Sequence, residues 1–293
     1  VTDGAVDTAA LTSDLVARLV AEQFPAWAEL PVRPVALSGN DHRMFRVGDA
    51  LTARLPSHSG YIPQVPKEQD ALSRLAPHVP LPIPVLHGRG RPSALFPAPW
   101  SVLGWIDGTP LSAASVDDDD ALAGALADFL RDLRAAPAAG GPAPGPHSAF
   151  RGGSVARWDD EVQALLPQLS GRELDAAAGM WRDAVAAPYS GPAVWVHGDV
   201  AAGNLLVREG RLAAVLDFGC AAVGDPACDA VPRWTFLAGG AALRFTRELG
   251  VDDATWARGR GWALWKALIM LSHTVPGQAE FARRVLDALI ADR

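Results

Sequence analysis

The sequence predicts an α+β fold in which a small sheet-and-helix region precedes a mainly helical one. Three observations carry this expectation. Short apolar runs of strand length, VRPVAL (32–37), MFRV (44–47) and LTARL (51–55), cluster near the start of the chain. From Leu122 onward, apolar residues recur mostly at helical spacing. Within that helical half lies one strand–turn–strand, NLLV (204–207), Glu209-Gly210 and LAAVLD (212–217).

The 293 residues are 49% hydrophobic, which is enough to build one large domain or two lobes with real cores and is not a disordered composition. No apolar run reaches the ~18–20 residues of a membrane span. The best candidate, WALWKALIML (262–271), is shorter and carries Lys266, so no membrane partner is expected. The first residues lack the basic-then-apolar layout of a secretory leader. Net charge is −7 with no basic stripe, which argues against a nucleic-acid partner. Cys220 and Cys228 form neither a metal-ligand spacing nor a disulfide framework, so a reducing cytoplasm is expected, with Cys220 as a small buried filler. Oligomeric state is not readable. Of the 26 basic residues only Lys67 and Lys266 are lysines, so a function that needs a lysine has two candidates.

Residues 1–10 show no period and are expected to be loose. A helix follows from Thr12 or Ser13, with Leu15, Val16, Leu19 and Val20 on one face and Pro25 as its stop. Gly48-Asp49 reads as the turn joining MFRV to LTARL. A helix is expected from about Lys67 to Leu75. HVPLPIPVLHGRG (78–90) is too proline-rich for an interior helix and reads as extended chain entering a strand. SVLGWI (101–106) reads as a strand before Asp107-Gly108.

The four acids Asp117 to Asp120 precede Leu122, Leu126, Phe129, Leu130 and Leu133 at helical spacing, so they read as a helix N-terminus rather than a cation trap. Nine of the nineteen residues from 135 to 153 are Gly or Pro, which predicts a loop excursion on the surface. Helical patterns then run through Val162 to Leu169 and through Leu174, Trp181 and Val185. Asp225-Pro226 reads as a helix cap with proline at the first position, Pro232 as an irregularity, and helices are expected over 253–272 and about 277–291. Trp234, Trp256, Trp262 and Trp265 are expected to serve mostly as packing.

The stretch 194–229 carries the chemistry. Its polar residues stand only at the ends of apolar runs: His197 and Asp199 after VWV (194–196), Asn204 before LLV, and Asp217 after LAAVL. If Glu209-Gly210 is a two-residue turn, Arg208 faces Arg211, Val207 faces Leu212 and Asn204 faces Val215, which sets Asp217 beside Asn204. A carboxylate and an amide oxygen together suit Mg²⁺ when phosphates complete its shell. Asp199, five residues before Asn204, is a free carboxylate at the same end.

His197-Gly198-Asp199, four residues and Asn204 resemble the catalytic loop H-x-D-x₄-N of the kinase fold, and Asp217-Phe218-Gly219 matches its D-F-G. With the glycine inside HGD and with GDPACD from Gly224, the chain is similar to the aminoglycoside phosphotransferase family of small-molecule kinases. The resemblance implies a protein-kinase-like two-lobed fold: a nucleotide-binding N-lobe over 1–103, a hinge at 104–107, and a C-lobe over 108–293. It implies Asp199 as catalytic base, Asn204 and Asp217 as Mg²⁺ ligands, and His197 as support of the loop. Arg54 stands where the kinase fold places a phosphate-binding lysine, with Glu68 as its ion-pair partner and Lys67 as the fallback cation. The Ser38-to-His42 loop resembles the phosphate cover, which makes Ser38 a nucleotide contact, and Gly104 and Ile106 would meet a purine through their backbones.

The implied reaction is transfer of the γ-phosphoryl group of ATP or GTP to a hydroxyl of a small molecule, most readily an antibiotic. A protein kinase is excluded by the few residues between Gly219 and Gly224, which leave no activation segment, and by the missing Arg of H-R-D. A catalytically inactive nucleotide-binding module stays open because Arg54 replaces a lysine. An aminoglycoside acceptor asks for clustered acids, with Asp159, Asp160, Glu161, Asp229, Glu280 and Asp287 as candidates. A macrolide suits the tryptophans better, and other hydroxyl metabolites remain alternatives.

Overall fold

The computed structural model describes residues 11–35, 41–272 and 275–292. Helix α1 (Ser13–Gln23) starts at Thr12, whose Oγ1 accepts from Leu15 N at 3.3 Å. Strands β1 (Val32–Pro34), β2 (His42–Val47) and β3 (Leu51–Pro56) follow, then α2 (Gln64–Leu75), β4 (Leu86–Gly90) and β5 (Trp100–Gly104). The five strands form one antiparallel sheet in the order β1-β2-β3-β5-β4. One face buries Phe45, Val47, Leu55, Trp100 and Val102 against Val16, Leu19 and Val20 of α1. Every residue of β3 is buried, so this strand is covered on both faces, and Arg54 lies inside the protein rather than on a surface. The first strand ends earlier than the run VRPVAL, and residues 36–40, with Ser38, lie outside the described residues. Helix α2 begins three residues before Lys67 because Pro66 falls in its first turn, where a missing N–H is tolerated.

The second region contains β6 (Thr109–Pro110), α3 (Asp119–Ala135), α4 (Asp159–Leu165), α5 (Gly171–Ala186) and β7 (Val194–Val196). It continues with β8 (Leu205–Arg208), β9 (Arg211–Val215), β10 (Ala222–Gly224), α6 (Pro232–Thr235), α7 (Gly239–Leu249), α8 (Asp253–Ser272) and α9 (Gln278–Ala291). The acid run caps α3 as expected: Asp118 accepts from Ala121 N, and Asp119 and Asp120 occupy the first turn. One core joins α3, α7, the β8–β9 hairpin and the inner face of α2; a second joins α4, α5, α8, α9 and β7. Among the described residues no helix is long and apolar enough to cross a membrane.

Three expectations need correction. The Gly/Pro-rich segment 135–153 is packed rather than a surface excursion. Pro142 O accepts from Val223 N at 2.7 Å and Gly152 O from Asp225 N at 2.7 Å. A Cβ on Gly141 would stand 2.3 Å from Val223, so its glycines permit close approach to β10. The expected helix after Asp225 is broken into a 3₁₀ turn (Pro226–Ala230) and α6, because Pro232 cannot donate into a continuing helix. Helix α7, which covers α3, has no counterpart in the expectations. Cys220 is half-buried rather than a core filler.

The site hairpin departs from its expected register by one residue. Glu209 (φ 51°) and Gly210 (φ 68°) form the mirror-image turn that suits a twisted hairpin, and Arg208 faces Arg211 and Val207 faces Leu212 as the turn dictates. A bulge then shifts the pairing, so Leu205 rather than Asn204 faces Val215. Asn204 O instead accepts from Leu216 N at 2.8 Å, next to Asp217. The VWV run does not join this hairpin; β7 pairs with β10.

Candidate active site

Three segments meet at the ends of these strands. Asp217 leaves β9 in the left-handed region (φ 63°), an uncommon conformation for a non-glycine residue, and its Oδ1 accepts from Gly219 N at 3.2 Å. Phe218 behind it is fully buried, edge-on to the His197 ring at 4.8 Å. The turn therefore anchors itself on the loop that carries Asp199.

That loop is held by a buried carboxylate. Asp229 accepts from His197 N and Gly198 N, both at 2.8 Å. The His197 ring is fully buried: Nε2 faces Leu216 O at 2.9 Å, and Nδ1 accepts from Asp199 N at 3.2 Å. With Nδ1 as acceptor, Nε2 carries the proton, so the imidazole ties the end of β9 to the loop that carries Asp199. Gly198 has φ 81°, and a Cβ there would sit 2.6 Å from Cys220 O, which explains the glycine inside HGD. Asn204 Nδ2 donates to Asp199 O at 2.9 Å and to Asp199 Oδ2 at 3.1 Å. The amide oxygen of Asn204 is thereby the atom left for a cation.

Arg54 bridges two carboxylates. Its Nη1 pairs with Glu68 Oε1 on α2, and its Nη2 with Asp217 Oδ1 at 2.6 Å. Glu68 Oε1 also accepts from Phe218 N at 3.1 Å. Burial pushes both carboxyls up. For Asp217 the adjoining Arg54 outweighs burial and holds it well below the usual carboxylate range, whereas for Glu68 burial wins and its pKa is raised. Burial would depress Arg54, but Asp217 and Glu68 keep it charged.

Lys67 points elsewhere: its Nζ donates to Gly219 O and, at 2.9 Å, to Ala221 O. Burial lowers this amine to about 8. Because the lysine of the unfolded chain keeps its proton between about pH 8 and the ordinary value near 10.4 while the folded one sheds it, the contribution of Lys67 to stability should rise with pH across that window. The Cys220 and Cys228 thiols, held above their ordinary value by burial, pull the other way, so the lysine is read by difference: between about pH 7.5 and 9.5 the urea midpoint of the parent should rise relative to that of Lys67→Met. An equal slope in both would remove Lys67 as its source.

Gly104 ends β5 with its N–H given to Val85 O at 2.8 Å, and Ile106 follows in the extended link to β6. Glu68, Arg54, Asp217, Asn204, Asp199 and His197 thus form one connected group. Ser38 falls among the residues not described.

The residues present fit a hard divalent cation bound together with phosphates. Asp217 Oδ1 is occupied by Arg54 and Gly219, so Oδ2 and the Asn204 amide oxygen are the two hard donors. No group of three or more His, Cys, Asp or Glu able to hold a metal occurs among the described residues, which suits a cation whose shell phosphates complete.

The acids considered for an acceptor site do not cluster. Asp229 is consumed by the catalytic loop; Asp159 accepts from Trp181 Nε1 at 2.6 Å; Glu161 accepts from Trp265 Nε1 at 2.7 Å. Asp160 is exposed, and Glu280 and Asp287 lie exposed on α9. Trp234, Trp262 and Trp265 are buried packing residues and Trp256 is partly buried, as expected.

Two residues escaped sequence reasoning. Arg151 donates from Nε to Gly198 O at 3.0 Å and lies over the rings of Trp262 and Trp265. Lys266 donates from Nζ to Asp199 Oδ1 at 3.1 Å. Arg151 is hidden in a breaker-rich segment and carries no signal. A lysine inside the apolar run of α8 was the available signal for Lys266.

The model of the phosphotransferase enzyme family (APH) matches residues 32–263. No curated protein matches the chain in sequence. Similar solved structures include the GDP and kanamycin complex of APH(2″)-IIia, with 20% identity, 94% of this chain and 97% of that one covered, and a TM-score of 0.73. The macrolide 2′-phosphotransferase MphH from Brachybacterium faecium is 22% identical over 94% and 98% of the chains, with a TM-score of 0.62. A thermostable mutant of aminoglycoside phosphotransferase APH(4)-Ia, in ternary complex with AMP-PNP and hygromycin B, is 19% identical over 94% and 97%, with a TM-score of 0.61.

Proposed function

The chain belongs to the phosphotransferase enzyme family, and on that premise we propose that it transfers the γ-phosphoryl group of ATP or GTP to a hydroxyl of an antibiotic, in the first instance an aminoglycoside. The observation that carries this reading is the meeting of Asp199, Asn204 and Asp217 at one end of the site hairpin, with Arg54 locked on Asp217. The inactive-module reading loses ground because the guanidinium makes the ion pair to the Glu68 carboxylate that the kinase lysine would make.

In this reading Asp199 accepts the proton of the acceptor hydroxyl as its oxygen bonds to phosphorus. The bond to the bridging oxygen breaks and the nucleoside diphosphate leaves with the electron pair. Asn204 and Asp217 would hold Mg²⁺, which when bound neutralises charge on the phosphates. Residues 1–103 would act as the nucleotide lobe, 104–107 as the hinge with Gly104 and Ile106 at the base, and 108–293 as the acceptor lobe. The extended link between β5 and β6 supports that division. The two unpaired cysteines support a cytoplasmic site of action.

A macrolide-like acceptor is the second reading. Trp158 stacks on Trp265 with centroids 4.5 Å apart, one residue from Lys266, while the candidate acids are dispersed. Incubation with Mg²⁺, ATP or GTP and a panel of aminoglycosides, macrolides and amino-alcohols should yield one acceptor carrying one added phosphoryl group by mass spectrometry. Tight nucleotide binding with no acceptor modified anywhere on the panel would favour the inactive module instead.

A further inference from the structure

Lys266 is unused by the reading above. It sits within α8 among Trp262, Leu264, Trp265, Ala267 and Leu268, all buried, yet its own side chain is 36% exposed. Packing gives no reason for a lysine here. Its ammonium ends on Asp199 Oδ1 at 3.1 Å, beside the Oδ2 that Asn204 holds.

An inventory of cations sharpens the point. The phosphoryl group in flight spreads negative charge over three equatorial oxygens, and those oxygens need donors that are free to follow it. Arg54 is not free: it is 5% exposed and bound between Glu68 and Asp217. Lys67 is spent on the carbonyls of Gly219 and Ala221. Arg151 is fixed in place by its Nε bond to Gly198 O and by the faces of two tryptophans, although its buried Nη1 has no hydrogen-bond partner among the described residues. Among the described residues no other lysine or arginine bonds Asp199. The acceptor oxygen must lie between the Asp199 carboxylate and the phosphorus it attacks. A donor within hydrogen-bond reach of that carboxylate is therefore a neighbour of the equatorial oxygens. A four-carbon stem with three rotatable donors reaches them by torsion alone.

We propose that Lys266 is a catalytic residue contributed by the acceptor-side helix: it rests on Asp199 in the free protein and turns onto an equatorial oxygen of the phosphoryl group as that group leaves the nucleotide. The proposal rests on the kinase reading. In the step already written, Lys266 supplies charge and hydrogen bonds and exchanges no proton; the hydroxyl proton still passes to Asp199.

The test compares the parent, Lys266→Met and Lys266→Arg by titration calorimetry with MgADP alone and with MgADP plus aluminium fluoride, a mimic of the phosphoryl group in flight. Lys266→Met should bind MgADP within about threefold of the parent but the fluoride complex on the order of 10²-fold more weakly, and Lys266→Arg should recover most of that loss. On any acceptor that the panel identifies, kcat of Lys266→Met should fall by a similar factor with the acceptor KM unchanged. Undiminished binding of the fluoride complex by Lys266→Met, or a raised acceptor KM at unchanged kcat, would overturn the proposal and make Lys266 an acceptor contact. If the parent binds the fluoride complex but phosphorylates nothing, the kinase reading fails and takes the catalytic role with it, whereas a parent that phosphorylates an acceptor while Lys266→Met binds the fluoride complex undiminished overturns the proposal alone. If the parent binds no nucleotide, both fall.

Discussion

Asp199→Asn should lower phosphoryl transfer by on the order of 10³-fold while leaving MgATP affinity within about threefold. The amide is nearly isosteric and can keep the bond to Asn204, but it cannot take a proton from the acceptor. Asp199 is about a third exposed, and its partner Lys266 is similarly exposed, so the change should barely alter the melting temperature. Rates come from quantifying phosphorylated acceptor, and affinity from calorimetry. Turnover at the parent rate would remove Asp199 as the base. A large loss of nucleotide affinity with kcat preserved would move its role from proton transfer to phosphate binding.

Removal of Arg54 should be the most damaging change to the protein as a whole. Arg54→Ala leaves Glu68, 3% exposed at its side chain, and Asp217 without their shared counter-charge. Breaking a buried ion pair in this way costs about 3–5 kcal/mol, which for a chain of this size is a fall in melting temperature on the order of 10 °C. Arg54→Lys keeps the charge, but a single ammonium on a shorter stem cannot bridge both carboxylates as the planar guanidinium does. That variant should fold and melt within several degrees of the parent, with kcat/KM for nucleotide lower by about 10–100-fold. Parent-like kinetics in Arg54→Lys would mean that the bridge organises the fold without tuning the site.

Much of this was readable in the residues. The β8–β9 turn was specified by Glu209-Gly210, because few residue pairs tolerate two successive left-handed positions. The helix over 253–272 was readable to the residue, and the acid run before α3 as its cap. The order of His197, Asp199, Asn204 and Asp217 was enough to expect these side chains at one end of one hairpin, where the structure brings them together. The misses share a cause. The bulge that moves Asn204 past Val215, the pairing of β7 with β10 and the packing of 135–153 all depend on partners distant in sequence.

Residue types and short spacings were enough to specify local chemistry: which side chains can accept a proton, hold a hard cation or cap a helix, and which turns bring them together within about twenty residues. They could not say that Arg54 is buried between Glu68 and Asp217, that Asp229 clamps the catalytic loop instead of greeting a cationic acceptor, or that Lys266 ends on Asp199. Those contacts join residues 14 to 163 positions apart. Most are made through burial and charge pairing between separate elements, and the physics of packing settles them only once the sheet, the hairpin and α8 close on one another.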